Sequence, residues 1–248
     1  MTKLDRTAAD GETRDLEGWT LAFDLDGTLV DSAPDLLGTL NAILAEEGLP
    51  ALDFTTGRSL IGQGARALLR RGLMAAGAQW DEAMGEALFQ RFLAHYRTRI
   101  ADESRPFEGV ETTLERLATR GAILCVATNK RTELSVALLD ALDLSSRFAA
   151  ICGPDAVSRH KPSGAHVREA VQKAGGDPAR AIMVGDAAPD VGAAKDAGVP
   201  VVVVTFGYTP VPAEDLGGDV LIDAFEDLEE AVDGLVAGFY VRRALAST

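Results

Sequence analysis

The sequence predicts an α/β protein: a doubly wound parallel sheet core with an inserted all-helical cap. Three observations predict it. Short apolar runs of strand length end abruptly in polar residues, and stretches with helical spacing alternate with them. That alternation is the pattern of a parallel sheet covered by helices on both faces. The stretch 34–104 breaks it, carrying helical patterns and no convincing strand.

Residues 1–18 form a polar, charged N-terminal extension without the apolar centre of a signal peptide. The core opens over 19–33, where Trp19 to Leu25 reads as a buried strand. The cap, 34–104, begins with Ser32 as helix cap and Pro34 in the first turn. Its first helix carries the stripe Leu36, Leu37, Leu40, Ile43, Leu44 and stops at Gly48, before Pro50. Further helices are expected around Ala65 to Ala76 and Glu82 to Arg99. The chain then returns through Arg105-Pro106-Phe107-Glu108-Gly109, whose Pro and Gly suit a linker.

The second part of the core, 105–235, supplies strands at Ala122 to Asn129, Ala181 to Asp186 and Val199 to Thr205, with a weaker one at Phe148 to Gly153. Helical patterns ending at Gly121 and Gly198 lie between them. Residues 236–248, with Arg242 and Arg243, read as a solvated terminal helix or frayed end.

A chain of 248 residues with 47% apolar content can bury a large core without disulfides. Cys125 and Cys152 accordingly read as reduced, buried thiols. A formal charge of −14 opposes nucleic acid or an anionic membrane as partner. No apolar run approaches the roughly 20 residues needed to cross a bilayer, so a cytoplasmic location is expected. Three scattered histidines make no zinc site. His95 reads as one face of a cap helix, while His160 and His166 read as surface residues or as residues behind a site.

In open parallel sheets, ligands bind beyond the carboxyl ends of the strands, so the polar residues where apolar runs stop are informative. These are Asp24 and Asp26 after the first run, Thr128 and Asn129 after the second, and Asp186 after a later one. Each alone could be an ordinary turn or cap residue. Asp24 is harder to dismiss, because it lies between Phe23 and Leu25, where an unpaired carboxylate would be costly to bury.

The stretch Phe23-Asp24-Leu25-Asp26-Gly27-Thr28-Leu29-Val30-Asp31-Ser32 resembles the signature of the haloacid-dehalogenase (HAD) superfamily. Thr128-Asn129, Lys161-Pro162, Gly185-Asp186 and Asp190 follow in the order of that family. The resemblance implies a Rossmann-like, HAD-like core acting as a magnesium-dependent phosphatase. It makes Asp24 the nucleophile that becomes an aspartyl phosphate, and Asp26 the general acid and base. Gly27, Thr28, Thr128, Asn129 and Lys161 would then surround the phosphate. Mg²⁺ would be held by Asp24, Asp186 and the carbonyl of Asp26, with Asp190 behind it orienting a metal water or Lys161. Cations are needed, since a phosphate dianion beside several carboxylates meets repulsion of about 4 kcal/mol per charge pair at about 4 Å and an effective dielectric near 20.

Gly62-Gln63-Gly64-Ala65-Arg66-Ala67 matches the dinucleotide fingerprint Gly-x-Gly-x-x-Ala, but no apolar strand precedes it. A glycine-rich loop opening a cap helix is the better account. Gly57-Arg58-Ser59-Leu60-Ile61-Gly62-Gln63-Gly64-Ala65, with Leu69-Arg70-Arg71-Gly72-Leu73, is similar to the cap of bacterial phosphoglycolate phosphatases. That similarity implies that Arg58, Gln63, Gly64 and Arg66 lie near the non-phosphate end of the substrate. Ala187, where that subgroup has Ser or Thr, and Ser163-Gly164-Ala165-His166, where it has a Pro-rich run, depart from the pattern.

The expected activity is hydrolysis of a small anionic phosphate ester, first of all 2-phosphoglycolate. The alternatives are a sugar phosphate, a nucleoside monophosphate or pyrophosphate, or a β-phosphoglucomutase-like phosphotransfer. A silent binding protein on the same fold is the rival of a different class, and Asp26 speaks against a dehalogenase. Both a monomer and a homodimer are compatible with the sequence.

Overall fold

A computed structural model describes residues 2–3 and 15–245. Seven strands form one parallel sheet: β1 (Thr2–Lys3), β2 (Thr20–Phe23), β5 (Ile123–Ala127), β6 (Ala150–Cys152), β7 (Ala181–Gly185), β8 (Val201–Val204) and β9 (Val220–Ile222). Their order across the sheet is β1-β9-β8-β7-β2-β5-β6, and each neighbouring pair is parallel. Leaving β1 aside, this is the doubly wound order, with the winding direction reversing between β2 and β7. Crevices at that reversal are where such sheets bind ligands.

Side chains alternate across the sheet as strand geometry requires. Leu21 and Phe23 of β2, with Val126 of β5 and Val184 of β7, enter a core shared with α5 (Val110–Thr119) and α9 (Leu228–Leu245). Ala22, Cys125 and Met183 enter the opposite core, shared with α7 (Gly164–Lys173) and α8 (Ala188–Ala197). The chain therefore buries both faces of one sheet, and Cys125 and Cys152 are free, buried thiols.

Between β3 (Val30–Asp31) and β4 (Arg105–Pro106) the chain forms only helices: α1 (Ala33–Glu46), α2 (Phe54–Arg58), α3 (Ala65–Ala75) and α4 (Glu82–Thr98). Leu40, Ile43, Leu69, Leu73 and Phe92 bury a third core among them. The outgoing and returning strands pair with each other, Val30 with Pro106 and Asp31 with Arg105. Below them the buried carboxylate of Asp35 accepts from the Ser104 amide at 2.8 Å and the Ser104 hydroxyl at 2.7 Å, closing the neck of the insertion. The helix α6 (Thr132–Ala141) follows β5 and carries Leu134 into the cap core.

Several expectations change here. Ser32 stands at the N-cap of α1 but makes no side-chain cap; its hydroxyl donates to Asp26 Oδ1 at 2.5 Å. The sequence reading omitted β9, whose three residues are too few for a periodicity signal, and β1 within the extension. Leu16, in the stretch read as a polar extension, is fully buried. The helix α9 runs unbroken past residue 236, with Val236 buried and Phe239 edge-on to Trp19 at 5.0 Å. Residues 1, 4–14 and 246–248 of those terminal segments lie outside the described residues. No helix among the described residues is long and apolar enough to cross a membrane.

Candidate active site

Phe23, the last residue of β2, pairs with Val126 on β5 and Val184 on β7. The residue that follows each strand is polar, Asp24 after Phe23, Thr128 after Ala127 and Asp186 after Gly185, which brings all three to one edge. Asp24, Asp186 and Asp190 are almost wholly buried, and one carboxylate oxygen from each lies within 4.8 Å of the others. Asp190 sits in the first turn of α8, where its Oδ2 accepts from the amides of Asp186 at 3.2 Å and Ala187 at 3.0 Å.

Lys161 enters this cluster from the loop before α7, its Nζ 2.9 Å from Asp24 Oδ1 and 2.6 Å from Asp190 Oδ1. Burial pulls the Lys161 pKa down, but Asp190 and Asp24 outweigh it and the group is raised overall. Burial, opposed by Lys161 and reinforced by Asp190, pushes Asp24 up to about 6. Asp186 is raised well above the carboxylate range by burial and by its neighbours Asp190 and Asp24. Three carboxylates thus face one ammonium, a buried negative excess that a divalent cation with oxygen ligands would neutralise.

Asp186 is held by two parts of the chain. Thr28 Oγ1 donates to its Oδ1 at 3.2 Å, and the Tyr208 amide donates to its Oδ2 at 2.7 Å. Gly207 has no room for a side chain, because a Cβ there would lie 2.1 Å from that of Asp186. The turn after β2 uses Gly27 at a φ of +88°, a conformation that favours glycine. Its amides are engaged internally, Gly27 to Val30 O and Thr28 to Leu25 O, and the Thr28 hydroxyl serves Asp186.

Asp26 lies at the mouth, where a cavity of about 200 Å³ separates core and cap. Asp24, Asp26, Thr128 and Asn129 line it from the core, and Gln63, Gly64 and Arg66 line it from the cap. Gly64 approaches the core so closely that a Cβ would lie 3.0 Å from the Asn129 carbonyl. Arg66 is drawn aside by Glu82 and Glu86 and lies over the Phe89 ring. Arg58 is not among the lining residues. Its guanidinium donates to the carbonyls of Phe206 at 2.7 Å and Gly207 at 3.1 Å and lies 5.0 Å from the Tyr208 ring centroid, clasping the cap to the core loop after β8.

One residue is absent from the expected set, and for another the structure selects between the two expected places. Lys130 is buried, with Nζ 2.8 Å from Asp26 Oδ1, 3.1 Å from Oδ2 and 4.6 Å from the Tyr96 ring centroid. Burial lowers its pKa, yet Asp26 and Tyr96 more than reverse this and the ammonium is retained. Its place directly after Thr128-Asn129 was the available signal. His166, expected at the surface or behind the site, is fully buried beneath Lys161. Its Nε2 lies 3.0 Å from the Cys152 carbonyl, so Nε2 carries the proton and Nδ1 accepts the Lys161 amide at 3.2 Å. Burial and then Lys161 push its pKa down to about 4, which keeps it neutral. His160 stays exposed at the cavity rim, and exposed His95 pairs with Glu46 at 2.9 Å.

Known proteins resemble this chain in sequence and fold. The family profile of the haloacid dehalogenase-like hydrolases matches residues 21–204. The chain is 55% identical over 217 residues to a phosphoglycolate phosphatase of Caulobacter vibrioides, covering 88% of this chain and 92% of that one. A phosphoglycolate phosphatase of Agrobacterium fabrum is 44% identical over 210 residues, covering 85% and 90%. The crystal structure of a predicted phosphoglycolate phosphatase from Haemophilus somnus superimposes with a TM-score of 0.80 at 31% identity, covering 87% of this chain and 98% of that one. With sequence and fold both matched over most of its length, the chain belongs to the haloacid dehalogenase-like hydrolase family.

Proposed function

We propose that this enzyme is a phosphoric monoester hydrolase, that its substrate is 2-phosphoglycolate, and that it works through a phosphorylated Asp24. The observation that carries the reading is the buried cluster of Asp24, Asp186 and Asp190 around Lys161, opening on the cavity that Asp26 and Thr128 line. Two points support the choice of substrate. The relatives named above are phosphoglycolate phosphatases. The cavity of about 200 Å³ between core and cap also has room for a two-carbon acid.

In the proposed reaction an Asp24 oxygen attacks phosphorus, and the bond from phosphorus to the ester oxygen breaks. Both protein contacts to the Asp24 carboxylate fall on Oδ1, from the Leu25 amide at 2.7 Å and Lys161 at 2.9 Å. Its Oδ2 is therefore the oxygen without a protein donor among the described residues, and it is the one assigned to the attack. Asp26 gives a proton to the departing alkoxide, then takes one from the water that opens the aspartyl phosphate, releasing inorganic phosphate. Lys161, the Thr128 hydroxyl and the Asn129 amide balance charge on the transferred group. Mg²⁺, held by Asp24 and Asp186 with the Asp26 carbonyl, would supply the positive charge that this cluster lacks.

The test is phosphate release from a panel of 2-phosphoglycolate, sugar phosphates, nucleoside monophosphates and pyrophosphate, with Mg²⁺ and with EDTA. The expected outcome is a clear preference for 2-phosphoglycolate that vanishes in EDTA. A better substrate elsewhere in the panel would overturn the substrate assignment. An isomerised phosphosugar in place of free phosphate would overturn hydrolysis itself.

A further inference from the structure

Lys130 and Tyr96 face the cavity beside the reacting groups, and the scheme above gives neither a task. Both are buried, with relative exposures of 6% and 1%. An ammonium has three donors; two of its contacts go to the Asp26 oxygens, and the third is turned toward Tyr96 at the cavity wall. The Tyr96 hydroxyl is buried beside that ammonium and donates to no acceptor, a state that costs stability unless a ligand supplies one. The other cations at the cavity are diverted: Arg66 to Glu82 and Glu86, Arg131 to Glu133 at 3.5 Å.

We propose that Lys130 Nζ and Tyr96 Oη form the seat for the substrate carboxylate, and so determine the preference for a short phosphorylated acid. This rests on the hydrolysis proposed above, because Asp26 marks the position of the ester oxygen. A group that passes a proton to that oxygen must touch it, and Lys130 touches the same carboxylate at 2.8 Å. In a two-carbon phosphoacid the carboxylate carbon is two bonds from the ester oxygen, which puts its oxygens within reach of Lys130. Leu36, Ile61, Leu68 and Phe89 add apolar wall to the same cavity. A site built from buried donors discriminates strongly against an analogue that lacks the matching acceptor, because those donors are then left unpaired.

The experiment compares kcat and KM for 2-phosphoglycolate and for ethyl phosphate, the two-carbon ester without a carboxylate. It uses the full chain with Mg²⁺, as wild type, Lys130→Met, Lys130→Arg and Tyr96→Phe. The ratio of kcat/KM between the two substrates should fall by about tenfold or more in Lys130→Met, mainly through KM for the acid. It should fall several-fold in Tyr96→Phe and recover in part in Lys130→Arg. Losing Lys130 also strips Asp26 of its cation, but that loss is common to both substrates and cancels in the ratio. Should Lys130→Met fail to fold, Tyr96→Phe, which removes a single oxygen, carries the test. A wild-type preference for the acid that survives in the variants would refute the carboxylate seat and leave the phosphatase reading standing. A wild type indifferent to the carboxylate would overturn both the seat and the choice of substrate.

Discussion

The ammonium of Lys161 lies 2.9 Å from the carboxylate of Asp24 and both groups are buried, so each depends on the other for its charge. Lys161 is shared with Asp190, however, and Asp186 lies beside the pair with no lysine of its own.

Asp24→Asn should lower turnover by about 10⁴-fold or more, the scale of losing a covalent nucleophile. The amide is isosteric but is not an anionic nucleophile, so phosphate release should stop while the circular dichroism spectrum stays that of the wild type. Retained turnover would remove Asp24 from the mechanism.

Asp26→Asn should separate substrates by their leaving groups. An alkyl ester such as 2-phosphoglycolate needs its departing oxygen protonated and should slow by about 10²- to 10⁴-fold, whereas an activated aryl phosphate should suffer much less. Equal losses on the two would argue that Asp26 does something other than proton transfer.

Mg²⁺ should stabilise the fold more at high pH than at low pH. Asp24 moves from 3.8 to about 6 in the folded chain, so between those values the native state holds the extra proton and this contribution fades as pH rises. His166 moves the other way, from 6.5 to about 4, and its contribution grows as pH rises through that window. The His166 effect is present with and without metal. The rise in Tm on replacing EDTA by Mg²⁺ should therefore be larger near about pH 8 than near about pH 5, where Asp24 and Asp186 hold protons. Thermal unfolding at both pH values decides this, and an equal rise at each would count against the cluster as the cation site.

Arg58→Ala should loosen the cap and weaken metal binding together. The substitution leaves the carbonyls of Phe206 and Gly207 without their guanidinium donor, and the next amide, that of Tyr208, holds Asp186. A stability loss of roughly 1–2 kcal/mol is expected. It should come with faster amide exchange over residues 206–208 and a higher Mg²⁺ concentration for half-maximal activity. Unchanged Mg²⁺ dependence would show that the clasp and Asp186 are independent.

Much of the fold was legible because strand burial is a local pattern. The runs ending at Leu25, Asn129, Asp186 and Thr205 are apolar since both faces of the sheet are covered, and the strands fall inside them. Asp24 was legible for the complementary reason, since a carboxylate between Phe23 and Leu25 had to find a cation. The short strands β1 and β9 were not legible, because pairing rather than composition makes two or three residues into a strand.

The sequence by itself determined the doubly wound sheet, the helical insertion, and which polar residues stand at the strand ends. Only the tertiary structure decided who meets whom. Lys130 reaches Asp26 across 104 positions, Thr28 turns to Asp186 across 158, Arg58 leaves the cavity for Phe206, and Ser32 forgoes its helix cap for Asp26. The physical reason is that periodicity records the burial a residue must accept, whereas the partner of a buried charge depends on which strands the winding of the chain sets side by side.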